Sequence, residues 1–359
     1  MPRLLGLGVL SALFFSSTFV LNRAMSLAGG HWAWSASLRF FYLAPMLALL
    51  LAATQGWAGL RAVLHAFGRR WRFWMLSGSI GFGVFYSFIT YASNHTPGWV
   101  VATTWQTTIL ATPLVLWLFG KSVPARGLLF SVLIFAGIVL ANAEQIAQGS
   151  LAATLAGALP VLASAFAYPI GNQLVWEATQ PIPPNPPTPS NPPTAAPTAA
   201  GDPPPPHLHP HSNSKIGYAK SFPARVSAFI TARIPRLANE TPTHPFARVL
   251  LLTLGSMPFW LLLLLVTRPA APSHGQLLST ALVALFSGVV ATSLFLYARQ
   301  LGRKPYEIAA VDSTQAMEVV FSLAGEVLIL GAAMPGPLGW AGISLTMAGL
   351  AAYMLARGR

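Results

Sequence analysis

Ten apolar stretches, each long enough to cross roughly 30 Å of hydrocarbon as a helix, constrain this chain more than any other feature. They lie at 4-28, 32-54, 73-93, 99-119, 127-143, 151-176, 247-267, 277-298, 307-330 and 338-356. The expected fold is an all-α polytopic membrane protein with ten transmembrane helices. The first stretch reads as a retained helix and not a secretory leader, because the run behind Arg3 is too long and Asn22 and Arg23 interrupt its distal end. Trp32, Trp34, Trp71, Trp74, Trp99, Trp117, Trp176 and Trp340 stand near expected span ends, as interfacial belts require. The chain has no cysteine, which excludes disulfides, a thiol nucleophile and thiolate metal ligands.

Charge acquires meaning by position. The formal net charge is +13, from 21 Lys and Arg against 8 Asp and Glu, yet only 8% of residues are charged. Of the 21 basic residues, 18 fall at the N-terminus or in connections from even to odd spans, Arg268 alone falls on the other side, and Arg23 and Arg39 lie inside spans. The positive-inside rule then places both termini in the cytoplasm. The basic loops are expected to meet anionic lipid at the cytoplasmic face of a plasma membrane, the inner membrane of a bacterium, and not nucleic acid.

Five spans in 1-143 and five in 151-359 suggest a duplication, and an odd number per half forces the halves into opposite orientations, as in transporters with inverted repeats. Phe135-Ala136-Gly137-Ile138 resembles Met347-Ala348-Gly349-Leu350, Asn22 is mirrored by Asn172, and Gln106 by Gln315. Helix-packing faces produce small-residue matches as well. Residues 177-246 hold 18 of the 31 prolines and read as a disordered, proline-rich cytoplasmic linker. Near its end, Phe222, Val226, Phe229 and Ile230 at helical spacing suggest a surface-lying helix. The stretch from Trp57 to Arg72 has the same amphipathic character and is assigned an anchoring role. His207, His209 and His211 lack carboxylate or thiolate partners, so no metal site and no cofactor is expected.

Half of the acids, Glu307, Asp312, Glu318 and Glu326, belong to the ninth span or its entrance, and Glu144, Glu177, Asp202 and Glu240 fall in connections. A central carboxylate costs about 2.5–3.5 kcal/mol on insertion scales, so such residues face a cavity, find a base or take up a proton. At 100° per residue, Asp312, Gln315, Ser322 and Glu326 lie within roughly 80° of one another, with Glu318 about 40° beyond. Counting from Glu307, Asp312 sits at about 8 Å depth, Glu318 at about 16 Å and Glu326 at about 28 Å. Glu318 is therefore the residue nearest the midplane and the candidate for exchanging a proton against substrate, with Asp312, Gln315, Glu326 and Arg39 as further substrate- or ion-coupling candidates. Arg39 is deep enough to pair with Glu326 or to receive an anionic group. Asn22, Trp105, Gln106, Tyr168, Asn172 and Gln173 supply candidate cavity lining. Thr103, Thr104, Thr107 and Thr108 are expected to bond back to helix carbonyls.

Phe15-Ser16-Ser17-Thr18-Phe19-Val20-Leu21-Asn22, Ser37-Leu38-Arg39-Phe40-Phe41-Tyr42 and Ala165-Phe166-Ala167-Tyr168-Pro169-Ile170-Gly171-Asn172, set in two five-helix halves, resemble the drug/metabolite transporter superfamily. The closer likeness is to its EamA-like members and those labelled multidrug-resistance efflux transporters. The resemblance implies alternating access around a central cavity and export of small organic metabolites or drugs coupled to a proton or ion gradient. The proline-rich linker and the acids of the ninth span depart from the family's pattern. No enzyme motif is present: no P-loop, no His-Glu-x-x-His and no paired intramembrane aspartates. The alternative is a non-transporting membrane scaffold that recruits partners through the proline-rich linker. Oligomeric state is not readable from the sequence.

Overall fold

The computed structural model describes residues 2–121, 125–149, 151–180, 222–238, 240–242, 244–302 and 305–357, and among them every regular element is helical. In chain order they are α1 (Pro2–Leu27), α2 (Trp32–Arg69), α3 (Trp71–Ala92), α4 (Gly98–Leu118), α5 (Ala125–Gln148), α6 (Leu151–Ala178), the short α7 (Phe222–Thr231), α8 (Pro245–Thr267), α9 (His274–Leu301), α10 (Ala310–Leu330) and α11 (Pro337–Arg357). Eight of these, α1, α2, α3, α4, α6, α8, α9 and α10, are long and apolar enough to cross a membrane. Eight of the ten expected spans are met by these helices.

Apolar side chains cover the outer surface as well as the core, and polar ones are drawn inside. Leu261, Leu265, Val266, Leu328 and Ile329 are exposed, whereas Ser11, Asn22, Ser37, Arg39, Thr103, Ser164 and Glu326 are buried. Lipid supplies no hydrophobic drive between helices, so close backbone approach and buried hydrogen bonds must hold the bundle. Glycine makes several such approaches. A Cβ on Gly78 or Gly255 would run into the facing backbone of α8 or α3, one on Gly81 or Gly171 into the opposite glycine, and one on Gly137 into Gly342 and Thr346 of α11. The two segments with matching sequence, around Gly137 and Gly349, thus lie on one pair of packed helices, Gly349 against Ile134.

The helix ends follow local chemistry. His31 and Ser273 cap α2 and α9 by accepting the amide hydrogens of Ala33 and Gln276, and Pro245 opens α8, where its missing N–H is no loss. Gly56 breaks α2 with φ 68°, so the expected span ends near residue 54 and the following amphipathic stretch runs as a second helical leg. That leg buries Val63 and Ala66 and leaves Trp57 and Leu64 exposed, the apolar outer face an anchoring helix needs.

Three expectations change. The linker bounds of 177-246 are too wide: Glu177 and Ala178 complete α6, α7 forms where the surface helix was expected, and Leu237 is buried with its amide donating to the Ala178 carbonyl at 2.7 Å. Proline is dense only up to Pro210, and the sparser stretch behind it can keep its backbone donors. Most of that tract, with the His207–His211 cluster, lies outside the described residues. Glu144 is not in a connection but inside α5, buried. Among the tryptophans, Trp71, Trp117, Trp176 and Trp340 are exposed, but Trp74 and Trp99 are buried in the bundle.

Candidate functional site

Four of the crossing helices are irregular within their length. α3 widens into a π-helix over Ser79–Val84 and α9 over Ala284–Ala291. α4 is interrupted between Trp105 and Thr108, at Gln106 and Thr107, and α10 tightens into a 3₁₀ turn over Thr314–Ala316, at Gln315. Irregular backbone at membrane depth is tolerated where it is enclosed by protein or lines a polar cavity, and π segments and broken helices concentrate at functional sites. Thr103 and Thr108 bond back to the carbonyls of Trp99 and Trp105, both at 2.7 Å, as expected, whereas Thr104 accepts the Asn142 amide at 2.9 Å.

Glu326, 1% exposed, fixes the relative depth of these breaks. Its carboxylate accepts the amide hydrogens of Gly98 at 2.7 Å and Trp99 at 3.1 Å. The first amides of α4 have no intrahelical acceptor, and a carboxylate there is also favoured by the helix dipole. Arg23 lies within electrostatic reach and itself donates to the Ser93 carbonyl at 3.0 Å. From this contact, Glu318 lies eight residues back along α10 and Gln106 eight residues forward along α4. Both lie about 12 Å deeper, which puts Glu318 level with the interruption of α4, while the 3₁₀ turn of α10 lies about 4 Å deeper still. Glu318 is 8% exposed, with no hydrogen-bond partner among the described residues.

Around this level the structure collects part of the expected lining. Phe85, Trp105 and Tyr168 form an aromatic trio with centroid separations of 4.9, 5.1 and 5.7 Å, and the Tyr168 hydroxyl is within electrostatic reach of Glu318, Arg299 and Arg39. Asn22 donates to the Tyr86 hydroxyl at 3.0 Å, and the Arg39 guanidinium lies 4.0 Å from the centroid of the Tyr86 ring while donating to Ser287 at 3.0 Å. Gln106 bonds back to the Ala102 carbonyl and Asn172 to that of Tyr168.

Other candidates lie elsewhere. Arg39 does not pair with Glu326, whose oxygens are taken by α4. Asp312 forms an ion pair with Arg299 at 3.4 Å, both partly exposed, and Gln315 reaches Thr314. Gln173 donates to Glu177, which binds Lys121 at 2.8 Å. Tyr86, Phe85 and Ser287 carry no sequence signal that separates them from ordinary helix residues. Glu144 does, as an acid beside a span end; it accepts the amides of Gly336 and Gly339 at the start of α11, a second helix N-terminus closed by a buried carboxylate.

Comparison with known proteins agrees with this architecture. A family model described as "Putative multidrug resistance efflux transporter" (EmrE) matches residues 2–359. The uncharacterized protein YjlA of Bacillus subtilis (strain 168) is 31% identical over 366 residues, covering 98% of this chain and 94% of that protein. An uncharacterized 42.1 kDa protein of Shouchella clausii, from the 3' region of an intracellular alkaline protease, is 30% identical over 327 residues, covering 87% and 69%. A crystal structure with 14% identity shares the fold at a TM-score of 0.52, covering 97% of this chain and 98% of the other. The chain is a multi-pass membrane protein and belongs to this EmrE-like multidrug resistance efflux transporter family, within the drug/metabolite transporter superfamily.

Proposed function

We propose that the protein is a secondary active exporter of small organic metabolites or drugs, working by alternating access, with proton exchange at Glu318 as the coupling step. In this reading α5 and α11 complete ten spans, the two halves are inverted repeats, and both termini are cytoplasmic. The observation that carries it is the position of Glu318: a buried carboxyl without a hydrogen-bond partner among the described residues, level with the interruption of α4 and next to that of α10. Repetition across the halves supports it further, since the π segments fall in the third and eighth expected spans and the breaks in the fourth and ninth. Arg39, Asn22, Trp105, Gln106, Tyr168 and Asn172 surround the substrate; Asp312, Gln315 and Gln173 lie toward its rim. Glu326 holds the outer end of α4 and does not exchange with substrate.

The test is flux in proteoliposomes. An imposed pH gradient should drive uphill movement of a labelled probe, ethidium or benzoate, by the wild-type chain, and Glu318→Gln should abolish the uphill component while the protein still inserts. Gradient-driven flux that survives Glu318→Gln removes Glu318 from the mechanism.

A further inference from the structure

The acid-rich tenth helix by itself suggests a cationic cargo, but the best-prepared binding group in the bundle is a cation. Arg39 is 9% exposed, and no carboxylate among the described residues lies within ion-pair distance of it. Glu326 is occupied by the amides of α4, Asp312 by Arg299, Glu177 by Lys121 and Glu240 by Arg70. Neutral groups orient the guanidinium: Nη2 donates to Ser287 Oγ, and the Tyr86 ring lies beneath it. Among the described residues its buried Nε–H has no acceptor, and the buried Oδ1 of Asn22, which binds the same Tyr86, has no partner either.

A desolvated guanidinium held in one orientation, with a donor left open and no counter-charge, is costly unless something completes it. A planar carboxylate is the group whose oxygens match the guanidinium edge. Tyr86 adjoins Phe85, which leads to Trp105 and Tyr168, and Trp105 stands at the interruption of α4, on the level of Glu318. An aromatic path therefore joins the open cation to the level of the proton-exchanging acid.

We infer that Arg39 is the docking point for the carboxylate of the substrate, so that the transported class is small organic acids with an apolar or aromatic body. This rests on the transport reading above and names the substrate class of that same site. Glu318 then carries the proton, and Arg39 the negative charge of the cargo.

The test is binding of three matched probes, benzoate, benzamide and benzylamine, to the purified full-length protein, read by calorimetry. Benzoate should bind saturably, with benzamide and benzylamine weaker by roughly ten- to a hundredfold, the effect of losing a charge-assisted hydrogen bond. Arg39→Gln should remove the preference for benzoate, and Arg39→Lys should keep part of it. The wild-type series decides the matter even if Arg39→Gln fails to fold. Absence of benzoate binding, equal binding of benzamide or benzylamine, displacement of benzoate by equimolar chloride, or unchanged benzoate affinity in Arg39→Gln overturns the inference. If benzoate binds through Arg39 but no pH gradient moves it, the carboxylate site stands and the transport reading fails.

Discussion

Gln106 and Gln315, one in each half of the chain, both stand where a membrane-spanning helix is interrupted, the first between Trp105 and Thr108 and the second in the 3₁₀ turn Thr314–Ala316. Glu326, near the end of α10, binds the first amides of α4 and so sets these two antiparallel helices in register. A break frees backbone polar groups that intact helices would satisfy internally. The two breaks bring that polarity to either side of the level of Glu318.

Glu326 should therefore be a stability residue. Its carboxylate accepts two amide hydrogens at the start of a buried helix, and no other side chain is shown capping that helix. Glu326→Ala should destabilise the protein by about 2–3 kcal/mol, the scale of charge-assisted hydrogen bonds lost in a dry site. Glu326→Gln should cost less, because its amide oxygen still accepts one of the two. Denaturant unfolding in detergent measures both, and wild-type stability in Glu326→Ala would deny the capping role.

The glycine approaches predict opposite outcomes at two positions. A Cβ at Gly137 meets Thr346 and the Gly342 carbonyl, so Gly137→Leu should separate α5 from α11 and cost at least about 1–3 kcal/mol. Gly6 is a helical residue with nothing within 4 Å of a built Cβ, and Gly6→Ala should be neutral or stabilising by up to ~1 kcal/mol. Thermal unfolding of the two variants side by side provides the comparison.

Hydropathy made the helices legible because burial in lipid demands long apolar runs. Partners were not legible. Periodicity tells which residues share a face of α10 but not which helix that face meets, so depth alone leaves Arg39 either to pair with Glu326 or to receive an anionic group, and the folded chain gives Glu326 to α4. Glu144 was misplaced for a related reason: hydropathy falls before α5 ends, and the acid that lowers it is there to bind the amides of α11. The correspondence of Gln106 with Gln315 was visible as a residue match, but that both sit in helix breaks depends on backbone conformation, which no apolar pattern records.

The proline-rich tract should be separable from the segments beside it. Removing 182–220 leaves α6, α7, Leu237 and Glu240 in place, so transport and thermal stability should stay close to wild type. Removing 177–246 deletes the Lys121 partner Glu177, the buried Leu237 and the start of α8, and should give an unstable protein. If the shorter deletion inserts normally and transports normally but loses a bound partner protein, the tract is a recruitment element carried by a transporter. If wild type itself transports no probe, the scaffold reading replaces the exporter.

Acid should release the segment that follows α7. Arg70 holds Glu240 through two hydrogen bonds of 3.1 Å, and these bonds lower the Glu240 carboxyl below the usual glutamate range. A group whose folded pKa is depressed stabilises the fold above its unfolded value and loses that contribution as pH falls through the folded one. The tether should thus be complete at neutral pH and dissolve below about pH 4. The Leu237 amide, bonded to the Ala178 carbonyl, is the reporter: its hydrogen-exchange protection factor should drop across that window in wild type. Glu240→Gln should show the lower protection already at neutral pH and little change on acidification. A protection factor in wild type that stays flat to pH 3 would show that Arg70 and Glu240 do not hold the segment.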